Sequence, residues 1–341
     1  MPEGWAWDES LFAGSSVFYD RGRIPYPAGL RDAFADAAEL HGSPRLIDVG
    51  CGPGTVALRL ADLFAEVVGV DADRGMIEQA TWLATKRNLT NARWFRLRAE
   101  ELPAGLGTFR YATFAQSFHW MERELVAARV FGMLDPGGAF VHVGGQEIET
   151  PPPEQPLPHP LPPADDIRRL KQSYLGPQRR AGQGMLRHGT PGNEREVLQA
   201  AGFEAPVSIR VRGRQALERT VDDVVAHVFS VSGSAPHLFG DRLGDFEHDL
   251  RVRLTAASDA GFFSEPIPDL ALVFYTGPDS GSCIAVPSAL ALALGRLHLQ
   301  MRCNETLRPG VRGSGERRSC ARNVPSTGYS PRHIGMAAVR G

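Results

Sequence analysis

At 341 residues, with 43% hydrophobic and 22% charged residues, the chain is long enough to bury a large core and has the ordinary make-up of a soluble globular protein. Its formal net charge of −2 gives no overall attraction to nucleic acid or to an anionic membrane. Only Lys86 and Lys171 are lysine among 37 basic residues, an arginine excess that goes with the Ala, Gly and Pro content of a GC-rich coding sequence, not with an RNA-binding surface.

The opening "MPEGWAWDES" has neither the basic nor the apolar region of a signal peptide, so a cytoplasmic location is expected. Residues 1–44 read as a helical arm or lid, with "GLRDAFADAAELHG" its clearest helix. Residues 45–145 then alternate between two periodicities. "RLIDVG" and "EVVGVD" are short apolar runs of buried strands, while "TVALRLADLFA", "RGMIEQATWLATKRN" and "MERELVAARVFGML" carry helical spacing. With "ARWFRL", "YATFAQS" and "AFVHVGG" completing the series, this β-α repeat predicts an α/β fold: a Rossmann-like, doubly wound, mostly parallel sheet with helices on both faces. Right-handed crossovers put the ligand along the carboxyl ends of its strands.

Eight of the thirteen residues at 151–163 are proline, which excludes helix and central strand and predicts an extended surface segment. Residues 192–275 return to globular patterning. "GNEREVLQAAGF" is a helix closed by Gly202, "VSIRVRG" a strand, and "TVDDVVAHVFSVS" a helix capped by Thr220 with Asp223 three residues on. A long helix in 241–258 and a last strand, "LALVFYTG", complete a lobe over 146–276 on the acceptor side, with the last strand antiparallel. Residues 277–341 hold nine arginines, three acids and no lysine, about +6, which leaves about −8 on the rest. Scattered charges of this kind predict a disordered basic tail. Cys51, Cys283, Cys303 and Cys320 lack CxxC spacing and do not form a zinc or disulfide framework. No stretch is long and apolar enough to span a bilayer, "IAVPSALALALG" being short and broken by Pro287.

The chemistry is concentrated in "LIDVGCGPG". A strand ending near Asp48, then Gly50, Cys51, Gly52 and Gly54, then a helix, is an adenosine-binding turn, because a sharp bend under a closely approaching ligand has no room for Cβ atoms. The dinucleotide pattern G-x-G-x-x-G wants glycine or alanine where this chain has Thr55, which argues against NAD. Asp71, closing the second strand, can accept hydrogen bonds from both hydroxyls of a ribose; alternatively it caps the next helix.

These residues carry a resemblance. "LIDVGCGPGT", "VVGVDADRGMIEQA", "RAEELP" and "AQSFHWMERE", with "YDRGRIPYP" at 19–27, resemble in order the motifs of class I S-adenosylmethionine-dependent methyltransferases, in the small-molecule branch with a single methyltransferase domain. The likeness covers about residues 15–145, is fainter over 190–276 and fails beyond 277. It implies S-adenosylmethionine as cofactor, with the Gly50–Gly54 backbone along its methionine part and Asp71 on its ribose. Ala72 and Met76 would border the adenine, the Ala99 backbone and Glu100 would lie at its edge, and Gln116 and Ser117 would offer carbonyls to the amino group. Arg23 would meet the cofactor's carboxylate, a group a guanidinium suits, and Tyr19 would cover the site. One departure stands out: Arg98 occupies a position where the family often has an aspartate.

The chain has "AQSFHW" where nucleobase amino methyltransferases carry Asn/Asp-Pro-Pro-aromatic, so the expected acceptor is a small organic molecule and no nucleic acid or membrane partner is expected, the alternatives being a nucleic-acid or protein methyltransferase or a cofactor-binding interaction protein without catalysis. His119, with an ordinary pKa near 6.5, is the candidate general base, the alternative being that it packs the loop with Trp120. His142, His188 and His227 read as core or surface residues, and no metal-ligand motif is present.

Overall fold

A computed structural model describes residues 7–277 apart from 39, 145–155, 183 and 186–191. The basic tail, His188, Cys283, Cys303, Cys320 and the first half of the proline-rich segment lie outside the described residues.

The arm contributes α1 (Ser16–Gly22) and α2 (Leu30–Ala37). The alternating region gives β1 (Arg45–Val49), α3 (Ala57–Leu60), β2 (Glu66–Asp71), α4 (Arg74–Lys86), β3 (Ala92–Arg96), β4 (Phe109–Ala115), α5 (Arg123–Phe131) and β5 (Leu134–Val143). After it come α6 (Ala164–Leu175), a two-residue ladder of β6 (Arg180–Ala181) with β7 (Gly184–Met185), and α7 (Glu194–Ala200). The chain then forms β8 (Val207–Val211), β9 (Ala216–Thr220), α8 (Val221–Phe229), α9 (Leu243–Ala257), β10 (Phe262–Pro266) and β11 (Leu270–Thr276).

Seven strands form the main sheet in the order β3-β2-β1-β4-β5-β11-β8. The first five pair in parallel, and β11 runs antiparallel to both neighbours, as expected of the last strand. The order reverses direction at β1, so the crevice beyond the β1 and β4 carboxyl ends is the topological switch point. Neighbouring residues of a strand point to opposite faces. Leu46, Val67, Leu272 and Phe274 therefore pack with Leu30, Phe34 and Val56 on one side, while Ile47, Val68, Ala271 and Val273 pack with Phe114, Phe118 and Phe140 on the other. Burial on both faces explains why these strands read as continuous apolar runs.

Three predicted elements differ in detail. The helix expected over "TVALRLADLFA" is one α turn, α3, followed by a 3₁₀ turn at Ala61–Leu63. The helix expected in the arm narrows to α2, and α7 belongs to the main core, where Val197 and Leu198 join the Phe140 face.

A second apolar centre lies in the lobe, where Phe229, Phe239, Phe246 and Phe263 meet, the rings of Phe239 and Phe246 stacked at 4.0 Å. β9 and β10 pair antiparallel beside it. Thr220 caps α8 reciprocally: its Oγ1 accepts from the Asp223 N–H (3.2 Å) and its own N–H donates to Asp223 Oδ2 (2.8 Å). The arm docks on α8 so closely that a Cβ on Gly22 would stand 2.4 Å from the Ala226 carbonyl. Arg219 Nη2 donates to the Gly22 carbonyl at 2.7 Å and Ser15 Oγ to that of Phe229 at 2.8 Å, so α1 is held by the lobe.

Candidate cofactor cleft

The turn after β1 is built by three glycines with positive φ, +67°, +53° and +80° at Gly50, Gly52 and Gly54. Each is needed for a different reason. A Cβ on Gly50 would stand 2.5 Å from Ser117 Cβ, and one on Gly54 would stand 2.6 Å from the Trp94 ring. At Gly52 nothing lies within 4 Å, because that position faces an open cleft. Gly54→Ala should therefore destabilise the fold by roughly 2–3 kcal/mol through strain and overpacking, whereas Gly52→Ala should cost only about 1 kcal/mol and instead lose ligand affinity. Thermal unfolding with and without ligand separates the two outcomes.

Asp71 anchors this turn. Its Oδ2 accepts the Gly52 N–H at 2.8 Å and its Oδ1 the Asp73 N–H at 2.9 Å. The N-cap of α4 is Asp73, whose Oδ1 accepts from Met76 N at 2.9 Å, so Asp71 is not the helix cap. Burial raises the Asp71 pKa to about 6, against the lowering effect of the Asp73 and Gly52 N–H groups. Each Asp71 oxygen keeps a lone pair for a further donor.

The cleft beside this turn has an empty volume of about 780 Å³, its open side included, at the carboxyl ends of β1, β2 and β4. Ten residues singled out from the sequence line it: Tyr19, Gly50, Gly52, Asp71, Ala72, Met76, Ala99, Glu100, Gln116 and Ser117. Gln116 takes a left-handed backbone (φ +55°), an uncommon conformation for a residue with a side chain, and its Nε2 donates to the Gly144 carbonyl at 2.6 Å. Ser117 Oγ donates to the Val49 carbonyl (2.7 Å), while its own carbonyl accepts from Trp120 N (3.0 Å), leaving it one lone pair to offer. Glu100 Oε1 accepts the Glu122 N–H at 2.9 Å.

Five sequence-predicted residues fall outside the lining. Asp48 is 1% exposed behind the turn, accepting from Thr113 Oγ1 (2.8 Å) and Ala57 N (3.2 Å), and burial lifts its pKa to about 7. Cys51 is buried, which pushes its thiol well above the ordinary range, and Gly54 packs on Trp94. Arg23 lies over the Tyr19 ring at 4.7 Å and donates through Nη2 to the Ser230 carbonyl (2.9 Å), so it stands behind Tyr19. His119 is not part of the lining; removal from water lowers its pKa to about 4, with smaller influences from the charges of Glu194, Arg179 and Arg123 and from His142.

The cleft has walls that the sequence reading did not find. Trp7, Glu9, Leu11 and Phe12 from the start of the arm line it, as do Trp120 and Met121. The signal was the aromatic and apolar density of "WAWDESLF", too short to show a period. Arg98 lines the cleft too, its guanidinium 5.2 Å over the Trp7 ring and 3.4 Å from Glu100 Oε2, which accommodates a cation where the family often has an acid. Among the described residues there is no cluster of three or more metal-ligating side chains, and no helix long and apolar enough to cross a membrane.

Residues 46–138 match a family model described as a methyltransferase domain. Similar proteins include the uncharacterized methyltransferase Rv3342 of Mycobacterium tuberculosis, 31% identical over 132 residues, which cover 38% of this chain and 51% of that protein. The S-adenosyl-L-methionine-dependent Diels-Alderase iccD of Talaromyces variabilis is 28% identical over 234 residues, 64% of this chain and 70% of that protein. The crystal structure of the Bacillus subtilis protein YcgJ superposes with a TM-score of 0.42 at 21% identity, over 70% of this chain and 94% of that one. The chain spans about half the length of the curated methyltransferase relatives it matches.

Proposed function

We propose, from the premise that the chain belongs through residues 46–138 to the class I S-adenosylmethionine-dependent methyltransferases, that it moves the methyl group of S-adenosylmethionine to a small organic acceptor. The observation that carries this reading is the open space at Gly52 above Asp71, in a cleft at the switch point of the sheet. When bound, the cofactor supplies an electrophilic methyl on a sulfonium, which leaves as a neutral thioether while an acceptor lone pair forms the new bond.

The chain's own residues then have positioning work to do. Asp71 presents carboxylate oxygens to the ribose hydroxyls, and the Gly50–Gly54 backbone gives the methionine portion a path without side chains. Ala72 and Met76 offer the adenine an apolar wall with Leu97 opposite, and Tyr19 and Trp7 exclude water at the mouth. His119 lies outside the lining and, with a pKa of about 4, is neutral at pH 7 and a weak base, so it gives the acceptor no strong base. An acceptor with an acidic hydroxyl or carbon suits such a site better than an alcohol.

The negative charge of residues 1–276 and the absence of a nucleobase-amino motif support a small acceptor over a nucleic acid, and a cytoplasmic location goes with such a substrate. A second reading is favoured by the breadth of the likeness to the Diels-Alderase, which runs beyond the methyltransferase core. There the cofactor would be held without being consumed while the lobe shapes a cyclising substrate. Incubation with methyl-labelled S-adenosylmethionine and a panel of phenols, carboxylic acids and amines decides between them. Acceptor-dependent label transfer with formation of S-adenosylhomocysteine is expected; tight cofactor binding with no homocysteine product on any acceptor would favour the second reading.

A further inference from the structure

The cofactor reading uses only the backbone carbonyl of Gln116, the residue that follows β4, yet the fold accepts strain to place its side chain. Three described non-glycine residues have a positive φ: Asn88, Ala104 and Gln116. Asn88 follows the end of α4, where a left-handed residue is a usual stop, and Ala104 lies in an exposed turn. Gln116 instead ends a central strand of the sheet, at the switch point. A left-handed backbone there costs stability and persists only where the surrounding structure holds it.

What holds it is the neighbouring strand. Gln116 Nε2 donates to the Gly144 carbonyl at 2.6 Å, and Gly144, just past β5, is itself pinned by its N–H to the Ala271 carbonyl at 2.8 Å. Gly144 has φ +79°, and a Cβ on it would stand 2.7 Å from Gln116 Nε2, so glycine is what lets the amide reach this carbonyl. The contact also fixes which end of the amide is which, since a carbonyl can only accept. Among the described residues the amide makes no other hydrogen bond, which leaves Oε1 and the second Nε2 hydrogen for a ligand. The side chain is exposed and lines the cleft. Its neighbour Ser117 packs on Gly50, the part of the turn assigned to the methionine portion of the cofactor, so Gln116 stands beside the reacting end.

We propose that the Gln116 amide orients the methyl acceptor, its Oε1 accepting the hydrogen of a phenolic hydroxyl and so turning an oxygen lone pair toward the methyl. The assignment rests on the methyltransferase reading and narrows its acceptor to phenols. A phenol, with a pKa near 10, arrives with its proton in place, and an amide oxygen holds that hydrogen without removing it. The oxygen lone pair forms the bond to the methyl carbon and the carbon–sulfur pair returns to sulfur. The proton leaves to water on the exposed side of Gln116, and the products are the methyl ether and S-adenosylhomocysteine. This needs no strong base in the lining, which holds no histidine. A carboxylate brings no hydrogen and sets its charge against the Oε1 dipole, and an alkylammonium has no lone pair to give. Leu11, Trp120 and Met121 line the same cleft and suit the apolar ring of a phenol.

The test uses the full chain with p-cresol, catechol and naphthol, each beside its methyl ether, and with p-toluate and p-methylbenzylamine. Binding of each to the S-adenosylhomocysteine complex is titrated, and methyl transfer is followed from labelled S-adenosylmethionine. At least one phenol is expected to be methylated, and the carboxylate and the amine are not. Gln116→Leu should lower kcat/KM for that phenol about tenfold or more and weaken its binding. Affinity for its methyl ether, which has no hydrogen to donate, and for S-adenosylhomocysteine should stay within about threefold of wild type; a merely structural role would weaken phenol and ether alike. Gln116→Asn guards against a leucine variant that fails to fold. Asparagine adopts a left-handed backbone readily, so this variant should melt like wild type, yet its amide stops one methylene short and methylation should fall with it. Unchanged phenol methylation in either variant, equal losses for phenol and ether, methylation of the carboxylate or amine in place of phenols, or no phenol accepted at all would each overturn the assignment. Failure of the cofactor reading is seen separately, as no binding of S-adenosylhomocysteine in the first place.

Discussion

Asp71→Ala is expected to weaken S-adenosylmethionine and S-adenosylhomocysteine on the order of a hundredfold or more. Two hydrogen bonds from ribose hydroxyls to a carboxylate contribute about 1.5–3 kcal/mol each, and about 1.4 kcal/mol is a tenfold change in Kd. The substitution also frees the Gly52 and Asp73 N–H groups, so the turn that approaches the ligand loses its anchor. Asp71→Asn keeps one acceptor oxygen and should fall between the two. Because burial raises the Asp71 pKa to about 6, the unliganded protein is protonated there below that pH. Cofactor affinity should therefore fall as the pH is lowered through about 6, in wild type and not in the alanine variant. Isothermal titration at pH 5.5 and 7.5 measures all of this. Affinity within about threefold of wild type in Asp71→Ala would show that the ribose is held elsewhere.

The second large effect belongs to Asp48, which lies behind the turn. Its pKa is near 3.8 when unfolded and about 7 in the fold, with burial as the main cause. Between those values the folded protein holds a proton that the unfolded chain has released. Stability from this group is thus fully present below about 3.8 and is lost as the pH rises through about 7. At about 1.36 kcal/mol per pKa unit the loss amounts to as much as about 4 kcal/mol. Asp71 acts in the same direction up to about 6. His119 acts in the opposite one: with its pKa lowered from 6.5 to about 4, it makes the fold more stable as the pH rises between those values.

Asp48→Asn removes the largest of these contributions while keeping the site satisfied. The amide oxygen can accept from Ala57 N, and its NH₂ can donate to the Thr113 hydroxyl. The variant should unfold several degrees above wild type at pH 8 and lose most of the fall in stability between pH 4 and 7, since the remaining contributions of Asp71 and His119 oppose each other there. Parallel melting curves for the two proteins across pH 4–8 would contradict a protonated Asp48.

Much of this could be read in the chain because the relevant physics is local. The β-α alternation reports burial of strands on both faces, and three glycines around "GCGPG" report positive φ, so the mostly parallel sheet and the turn followed from spacing, while the strand order did not. Asp71 was legible for the same reason: it ends a strand one crossover away from the turn it braces. Asp48 shows the limit. A carboxylate at the end of β1 has the same appearance in sequence whether it faces the cleft or hides behind it, and one residue of pleat decides. His119 follows Gln116 and Ser117 in sequence, but the charged groups that act on it, Glu194 and Arg179, come from segments distant in sequence. The same distance hid the cleft mouth, where Trp7 and Leu11 of the arm meet Trp120 and, from the lobe, Ala181.

The most direct measurement is thermal unfolding of the full chain with S-adenosylmethionine, S-adenosylhomocysteine or NAD. A ligand at about 100 times its Kd adds roughly 2.7 kcal/mol, enough to raise the midpoint by several degrees. A rise with both sulfur ligands and none with NAD is expected, from a cleft whose glycine turn ends at Thr55 and whose ribose acceptor is Asp71. No rise at millimolar S-adenosylmethionine and S-adenosylhomocysteine would mean that Gly50–Gly54 is only a turn, and would contradict the proposed methyl transfer at its source.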